Sequence, residues 1–206
     1  MKNTTKLFLL LTAIVSFAFV NPKHLEPKQI NVIIDAAHGG YDFGAVSNSI
    51  NEKQIVEQIA NKIKSLNKNK NVVLHFTRDS DVFVPLQERT DIINTINPDL
   101  VLSLHVNSDK NKDKSGVELF VSKESHSYEK SNKMAIKLST ELSKNNSFKM
   151  GEIKNASFFI LKKSNVPVVV LELGYLSNDN DKKYLIDEKE QNKIAESILE
   201  FVSDLK

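Results

Sequence analysis

Apolar residues fall along the chain in two kinds of block. Val32 to Asp35, Val72 to Thr77, Asp99 to Val106 and Val166 to Leu173 are nearly unbroken apolar runs without alternation. Such runs suit strands buried on both faces, because a sheet wetted on one side alternates. Other blocks carry apolar residues at helical spacing. Ile55, Val56, Ile59, Ala60, Ile63 and Leu66 form one stripe of a helix that starts near Glu52,. Pro85 suits the first turn of a second helix, with Leu86, Ile93 and Ile96 inward and Asn97-Pro98 ending it,. A strand is expected at Gly116 to Val121, and a helix at about Tyr128 to Ser143 with Met134, Leu138 and Leu142 in register. Ser157 to Leu161 reads as a strand, and the last helix, about Glu188 to Leu205, turns Ile194, Ile198, Val202 and Leu205 inward.

Strands alternating with helices predict an α/β fold: a single domain, with a mostly parallel (mixed) twisted sheet flanked by helices on both faces. The fold occupies residues 30–206 of the 206, with no internal repeat. In such sheets ligands bind beyond the carboxyl ends of the strands.

The N-terminus reads differently. Lys2 and Lys6 precede an apolar run of 14 residues, Leu7 to Val20, shorter than the roughly 20 needed to span a bilayer. A basic start and a short apolar run read as a secretory signal peptide at 1–18, cleaved before Phe19 after the small residues Ser16 and Ala18,. Residues 19–29, with Pro22 and Pro27, read as a linker. An uncleaved signal would act as an anchor, the one route to a membrane. Either way the domain is expected to be exported, to the periplasm or the cell wall, and to act as a monomer.

Composition narrows the chemistry. The 28 Lys and Arg are interspersed with 26 Asp and Glu for a net charge of +2, which leaves no footprint for nucleic acid,. There is no cysteine, so disulfides, thiolate ligands and a lipid-bearing cysteine are excluded,. A metal would have to be held by His, Asp and Glu.

Three strand ends carry polar residues that their surroundings do not explain. His38 follows the first strand in D-A-A-H-G-G-Y-D-F-G, where Gly39, Gly40 and Gly44 permit unusual backbone and close approach,. His105 ends L-V-L-S-L-H-V-N, as either a hydrogen-bonded core histidine or a neutral metal ligand,. Glu172 lies in V-V-V-L-E-L-G, where burying an unpaired carboxylate is costly, so it needs a lysine, a metal or a proton,. Glu52 fits a capping box, Ser49-Ile50-Asn51-Glu52, and becomes a ligand candidate because the same loop carries His38,. His24, His75 and His126 read as non-functional. Two histidines and a carboxylate are a common ligand set for catalytic zinc, with a second carboxylate to move the proton. Spacing alone does not say which glutamate does which.

The stretches I-D-A-A-H-G-G-Y-D-F-G-A, N-E-K-Q-I-V-E-Q-I-A, F-T-R-D-S-D, L-Q-E-R, D-L-V-L-S-L-H-V-N and V-V-V-L-E-L-G-Y-L-S-N, in this order, resemble the zinc-dependent N-acetylmuramoyl-L-alanine amidases, the amidase 3 family. The resemblance covers Val32 to the final helix. It implies that His38, Glu52 and His105 ligate one Zn2+ and that Glu172 is the catalytic carboxylate. It also implies the substrate, peptidoglycan, cut at the amide between the lactyl group of N-acetylmuramic acid and L-alanine of the stem peptide. Two departures stand out: Ala37 replaces a usual glycine, and Gly151-Glu152-Ile153-Lys154 replaces R-G-V-K, without its arginine. Some relatives carry an autoinhibitory helix after the second histidine; here one helix fills that interval and an open site is expected. The alternatives are an inactive peptidoglycan-binding protein on the same fold, or a metal hydrolase of another substrate.

Overall fold

The computed structural model describes residues 29–145 and 148–205. The signal segment expected at 1–18 and nearly all of the linker lie outside them. In chain order the elements are β1 (Ile30–Ala36), β2 (Val46–Ser47), β3 (Ile50–Asn51), α1 (Glu52–Leu66), β4 (Val72–Phe76), α2 (Leu86–Ile96) and β5 (Leu100–Asn107). They continue with β6 (Val117–Val121), α3 (Tyr128–Asn145), β7 (Met150–Asn155), α4 (Phe159–Lys163), β8 (Val168–Tyr175), α5 (Asp179–Ile186) and α6 (Glu188–Ser203).

Six strands form one sheet in the order β4-β1-β5-β8-β6-β7. β4, β1, β5 and β8 run parallel; β6 is antiparallel to β8, and β7 is parallel to β6. The fold is thus α/β with a mostly parallel, mixed sheet. From β1 the chain crosses to β4 on one side and returns to β5 on the other, so β1 and β5 flank a topological switch point, where such sheets open a crevice,.

Alternation along the strands sends side chains to two cores. Val32, Ile34, Leu102, Leu104, Val169 and Leu171 meet the buried stripes of α1, α3 and α6. Ile33, Val101, Val168 and Val170 meet Ile93 of α2 and Ile160 and Leu161 of α4. The second face is the thinner one, because α2 has 11 residues and α4 only 5.

Three local expectations are corrected. Ser157 to Leu161 does not form a strand: Phe159–Lys163 is helical, and the neighbouring strand is β7 at Met150–Asn155. β7 is an edge strand paired only to β6 and mostly exposed, so its sequence, M-G-E-I-K-N, has no buried face to betray it. Leu86 does not turn inward; it is 56% exposed, at the first turn of α2. The capping box fails as well, because the N-cap of α1 is Asn51, whose side chain accepts from the Gln54 N–H. α5 was not foreseen; Asn178 caps it by accepting from the Asn180 and Asp181 N–H groups.

Candidate active site

Continuing the alternation of β5 and β8 puts Ser103, His105 and Glu172 on the thin α2/α4 face. Asp35 of β1 lies in the same layer, with Ser103 donating to its Oδ2 at 2.6 Å. A cleft of about 570 Å³ opens there, and its lining includes His38, Glu52, His105 and Glu172 together with Phe83, Leu86 and Phe158.

The structure brings together three of the expected residues. One nitrogen of His38, one of His105 and one oxygen of Glu52 lie within 4.8 Å of one another. Glu52 Oε1 sits 3.0 Å from His38 Nε2 and 3.0 Å from His105 Nδ1. Glu52 is buried and is itself fixed by two backbone donors, the Ala45 N–H to Oε2 at 2.8 Å and the Val106 N–H to Oε1 at 3.0 Å. Released from capping duty, its carboxylate points away from its helix and between the imidazoles.

Electrostatics follow from that geometry. Burial disfavours charge on His38, but the Glu52 carboxylate and then Asp42 outweigh it and hold its pKa at about 9. His105 is raised by Glu52 and Glu172 against the same burial penalty. Glu52, despite burial, is pulled well below the usual carboxylate range by the two histidines. The trio is therefore a preformed seat for positive charge. Two imidazoles and a carboxylate also match the ligand chemistry of a divalent ion such as zinc.

Glu172 is the fourth residue. It pairs in register with His105 of β5 and with Glu118 of β6. No lysine bridges it, and its Oε2 is buried without a hydrogen-bond partner among the described residues. Burial, aided by the nearby Glu52 and Glu118 charges and opposed by His105, pushes its pKa up to about 7. A carboxyl that gains and loses a proton near neutrality suits general acid–base work.

Several residues that sequence reasoning missed build the support. Asp42 Oδ2 lies 2.8 Å from His38 Nδ1 and fixes which ring nitrogen faces Glu52. The signal was present: Asp42 stands four residues after His38 in the same glycine-rich loop. Gly44, at φ +64, packs on this pair; a Cβ there would collide with Glu52 Oε2 and stand 2.7 Å from the His38 ring.

His38 itself has φ +59, a backbone state uncommon outside glycine, and three buried cations hold it there,. Arg89 donates from Nη2 to the His38 carbonyl at 2.5 Å and from Nη1 to the Ala36 carbonyl at 2.8 Å. Arg78 donates to the carbonyls of Ala36 and Ala37, and Lys53 to that of Gly40 at 2.6 Å. Arg89 also pairs with buried Asp35 at 2.5 Å. Arg78 and Arg89 are the arginines of F-T-R-D and L-Q-E-R, so those stretches serve the loop that carries His38. Among the other histidines, His75 Nε2 lies 3.1 Å from Asn31 Oδ1, away from the cleft, while His24 lies outside the described residues.

Comparison with known proteins agrees with this picture. The chain is 29% identical over 183 residues to the probable cell wall amidase LytH of Staphylococcus saprophyticus, spanning 87% of this chain and 60% of that one. It is 27% identical to the N-acetylmuramoyl-L-alanine amidase LytC of Bacillus subtilis, over 81% of this chain but 34% of the relative. Among solved structures, the N-acetylmuramoyl-L-alanine amidase of Clostridium difficile 630 superposes with a TM-score of 0.80 at 28% identity, covering 86% of this chain and 96% of that one. A family model described as N-acetylmuramoyl-L-alanine amidase matches residues 32–204. By that match, which runs from β1 to the end of α6, the chain belongs to the N-acetylmuramoyl-L-alanine amidase family.

Proposed function

We propose that this domain is a zinc-dependent hydrolase of peptidoglycan that cleaves the amide between N-acetylmuramic acid and L-alanine of the stem peptide. The observation that carries the reading is the convergence of His38, Glu52 and His105 beside the unpaired buried carboxyl of Glu172. His38, Glu52 and His105 would hold the ion, and Asp42 orients the His38 ring from behind,. When bound, zinc supplies Lewis acidity for the scissile carbonyl and lowers the pKa of water from 15.7 to about 7.

The protein's own groups do the rest. Glu172 faces the same cleft, takes the proton of the attacking water and returns it to the departing L-alanine nitrogen,. Its apolar setting keeps its proton affinity near the working pH, so one carboxyl can serve both transfers,. Between β6 and β7 stands α3, which buries Ala135, Leu138 and Leu142 in the core on the opposite face of the sheet. That helix packs away from the cleft, as an open site for a polymeric substrate requires. Export by the N-terminal signal segment would deliver the enzyme to that substrate.

The test is digestion of purified peptidoglycan with and without a chelator, followed by mass spectrometry. Chelator-sensitive release of stem peptides that begin at L-alanine is expected. Peptides cut internally would point to a peptidase, and binding without release would point to an inactive wall-binding protein; either result overturns the proposal. His105→Ala should lose stoichiometric zinc, measured by elemental analysis.

A further inference from the structure

The cleft lining includes apolar side chains that the catalytic chemistry does not use, Phe83 and Leu86 among them. Nine large hydrophobic side chains are exposed among the described residues, and Tyr41, Phe43, Val82, Phe83 and Leu86 are five of them. All five come from the His38 loop and the segment leading from β4 to the first turn of α2. Phe83 and Leu86 line the cleft, and such concentration on two neighbouring segments is not the scatter expected of an ordinary surface,.

The patch is built rather than loose. Tyr41 and Phe83 stack with ring centroids 4.4 Å apart at 29°, and Phe83 lines the cleft. The segments that carry them are fastened together: Asp81 accepts from the Gly40 N–H at 2.8 Å and from Lys53 Nζ at 2.7 Å. Gly40 makes the approach possible, since a Cβ there would stand 2.8 Å from the Phe83 nitrogen. The two stacked rings are thus locked to the loop that presents His38.

Charge decides what lies on them. Apart from histidine, Arg89 is the one cation among the described residues lining the cleft, and its nitrogens are all committed to Val84, Asp35, Ala36 and His38. Asp42, Glu52 and Glu172 line the same space. The free carboxylates of a stem peptide find no partner there. A pyranose in an N-acetylated glycan strand is neutral once its lactyl group is amidated, and its axial C–H bonds offer an apolar face to an aromatic ring. Resting on the amidase reading, we propose that the Tyr41–Phe83 stack is a sugar-binding platform, which seats a residue of the glycan strand at the cleft that holds the metal centre and leaves the stem peptide off the stacked rings.

The probe is a neutral β-1,4-linked tetramer of N-acetylglucosamine, titrated into the intact protein and followed by NMR. Wild-type protein should bind it, with the Tyr41 ring protons shifting. Tyr41→Ala and Phe83→Ala should each weaken binding about tenfold or more, and Phe83→Tyr should not. Tyr41 is 75% exposed, so its replacement leaves the fold intact and keeps the test decisive. The second arm compares kcat/KM on a glycan-linked stem peptide with that on the same peptide carrying only a lactyl group. The alanine variants should lose activity on the first substrate alone. Absence of tetramer binding, binding indifferent to both alanine variants, or equal losses on both substrates would overturn the platform. Tetramer binding by a protein that releases no stem peptide would instead refute the amidase reading and leave the platform standing.

Discussion

Replacing Arg89 with methionine removes the guanidinium from a site where both it and Asp35 have side chains only 3% exposed. The Asp35 carboxylate would keep its hydrogen bonds from Thr77 at 2.5 Å and Ser103 at 2.6 Å but lose its ion-pair partner. The carbonyls of Val84, Ala36 and His38 would lose a donor at the same time. Breaking a buried pair by deleting one partner costs about 3–5 kcal/mol. For a domain of this size that lowers Tm by roughly 6–20 °C. The pH dependence makes the reasoning sharper. Burial pushes the Asp35 pKa up, but Arg89, Ser103 and Thr77 outweigh it and hold it below 3.8. In the wild type this group therefore contributes stability above its unfolded pKa, lost only as pH falls through the lower folded value. Without Arg89, burial dominates, the folded pKa rises, and stability is lost as pH increases. Urea melts at pH 4.5 and 7.5 should show a gap from wild type that narrows at the lower pH. Arg89→Met combined with Asp35→Asn should recover most of the loss, since it buries no orphaned charge. A gap under about 1 kcal/mol, a gap independent of pH, or a double variant no better than the single would refute the account.

Three further outcomes follow from two substitutions in the site. Glu172→Gln should retain its metal and lose activity by about 10²–10⁴-fold. In metal-free protein the same change should stabilise the fold above pH 7 and have little effect near pH 4.5. The reason is that a carboxyl raised from 4.5 to about 7 penalises folding only where it must ionise,. Thermal melts of the two proteins across that range check it, and a wild type as stable as the variant at pH 8 would count against a buried, unpaired carboxyl. Asp42→Asn should weaken metal binding by about 10–100-fold, read by chelator competition, with the fold unchanged because Asp42 is 39% exposed,. Unaltered affinity would show that His38 needs no partner behind it.

The sequence made the core strands and the convergence of His38, His105 and Glu172 legible for one reason: each polar residue interrupts or ends a run whose apolar character had a single explanation. Glu52 could not be resolved that way. Its position suits a cap, and only the fold shows that Asn51 takes the cap and frees the carboxylate. The supporting shell was illegible for a different reason. Asp35 meets Thr77, Arg89 and Ser103 from 42, 54 and 68 residues away, separations that no local pattern encodes. β7 escaped because an exposed edge strand needs no apolar alternation. Phe158 to Leu161 misled because an aromatic, branched run suits a strand as well as a short helix packed on one,.

The clamp on the His38 loop has a consequence for when the metal must arrive. In a zinc finger the ion supplies the folding energy, and the peptide is a coil without it. Here the left-handed turn at His38 is set by arginine and lysine side chains gripping main-chain oxygens, and Glu52 is set by main-chain N–H groups. All of those bonds run between groups of the polypeptide itself. On the proposed reading the ion would be a late tenant of a finished room: the polypeptide would reach its folded state in a compartment poor in zinc, wait there, and become competent only where the metal is found.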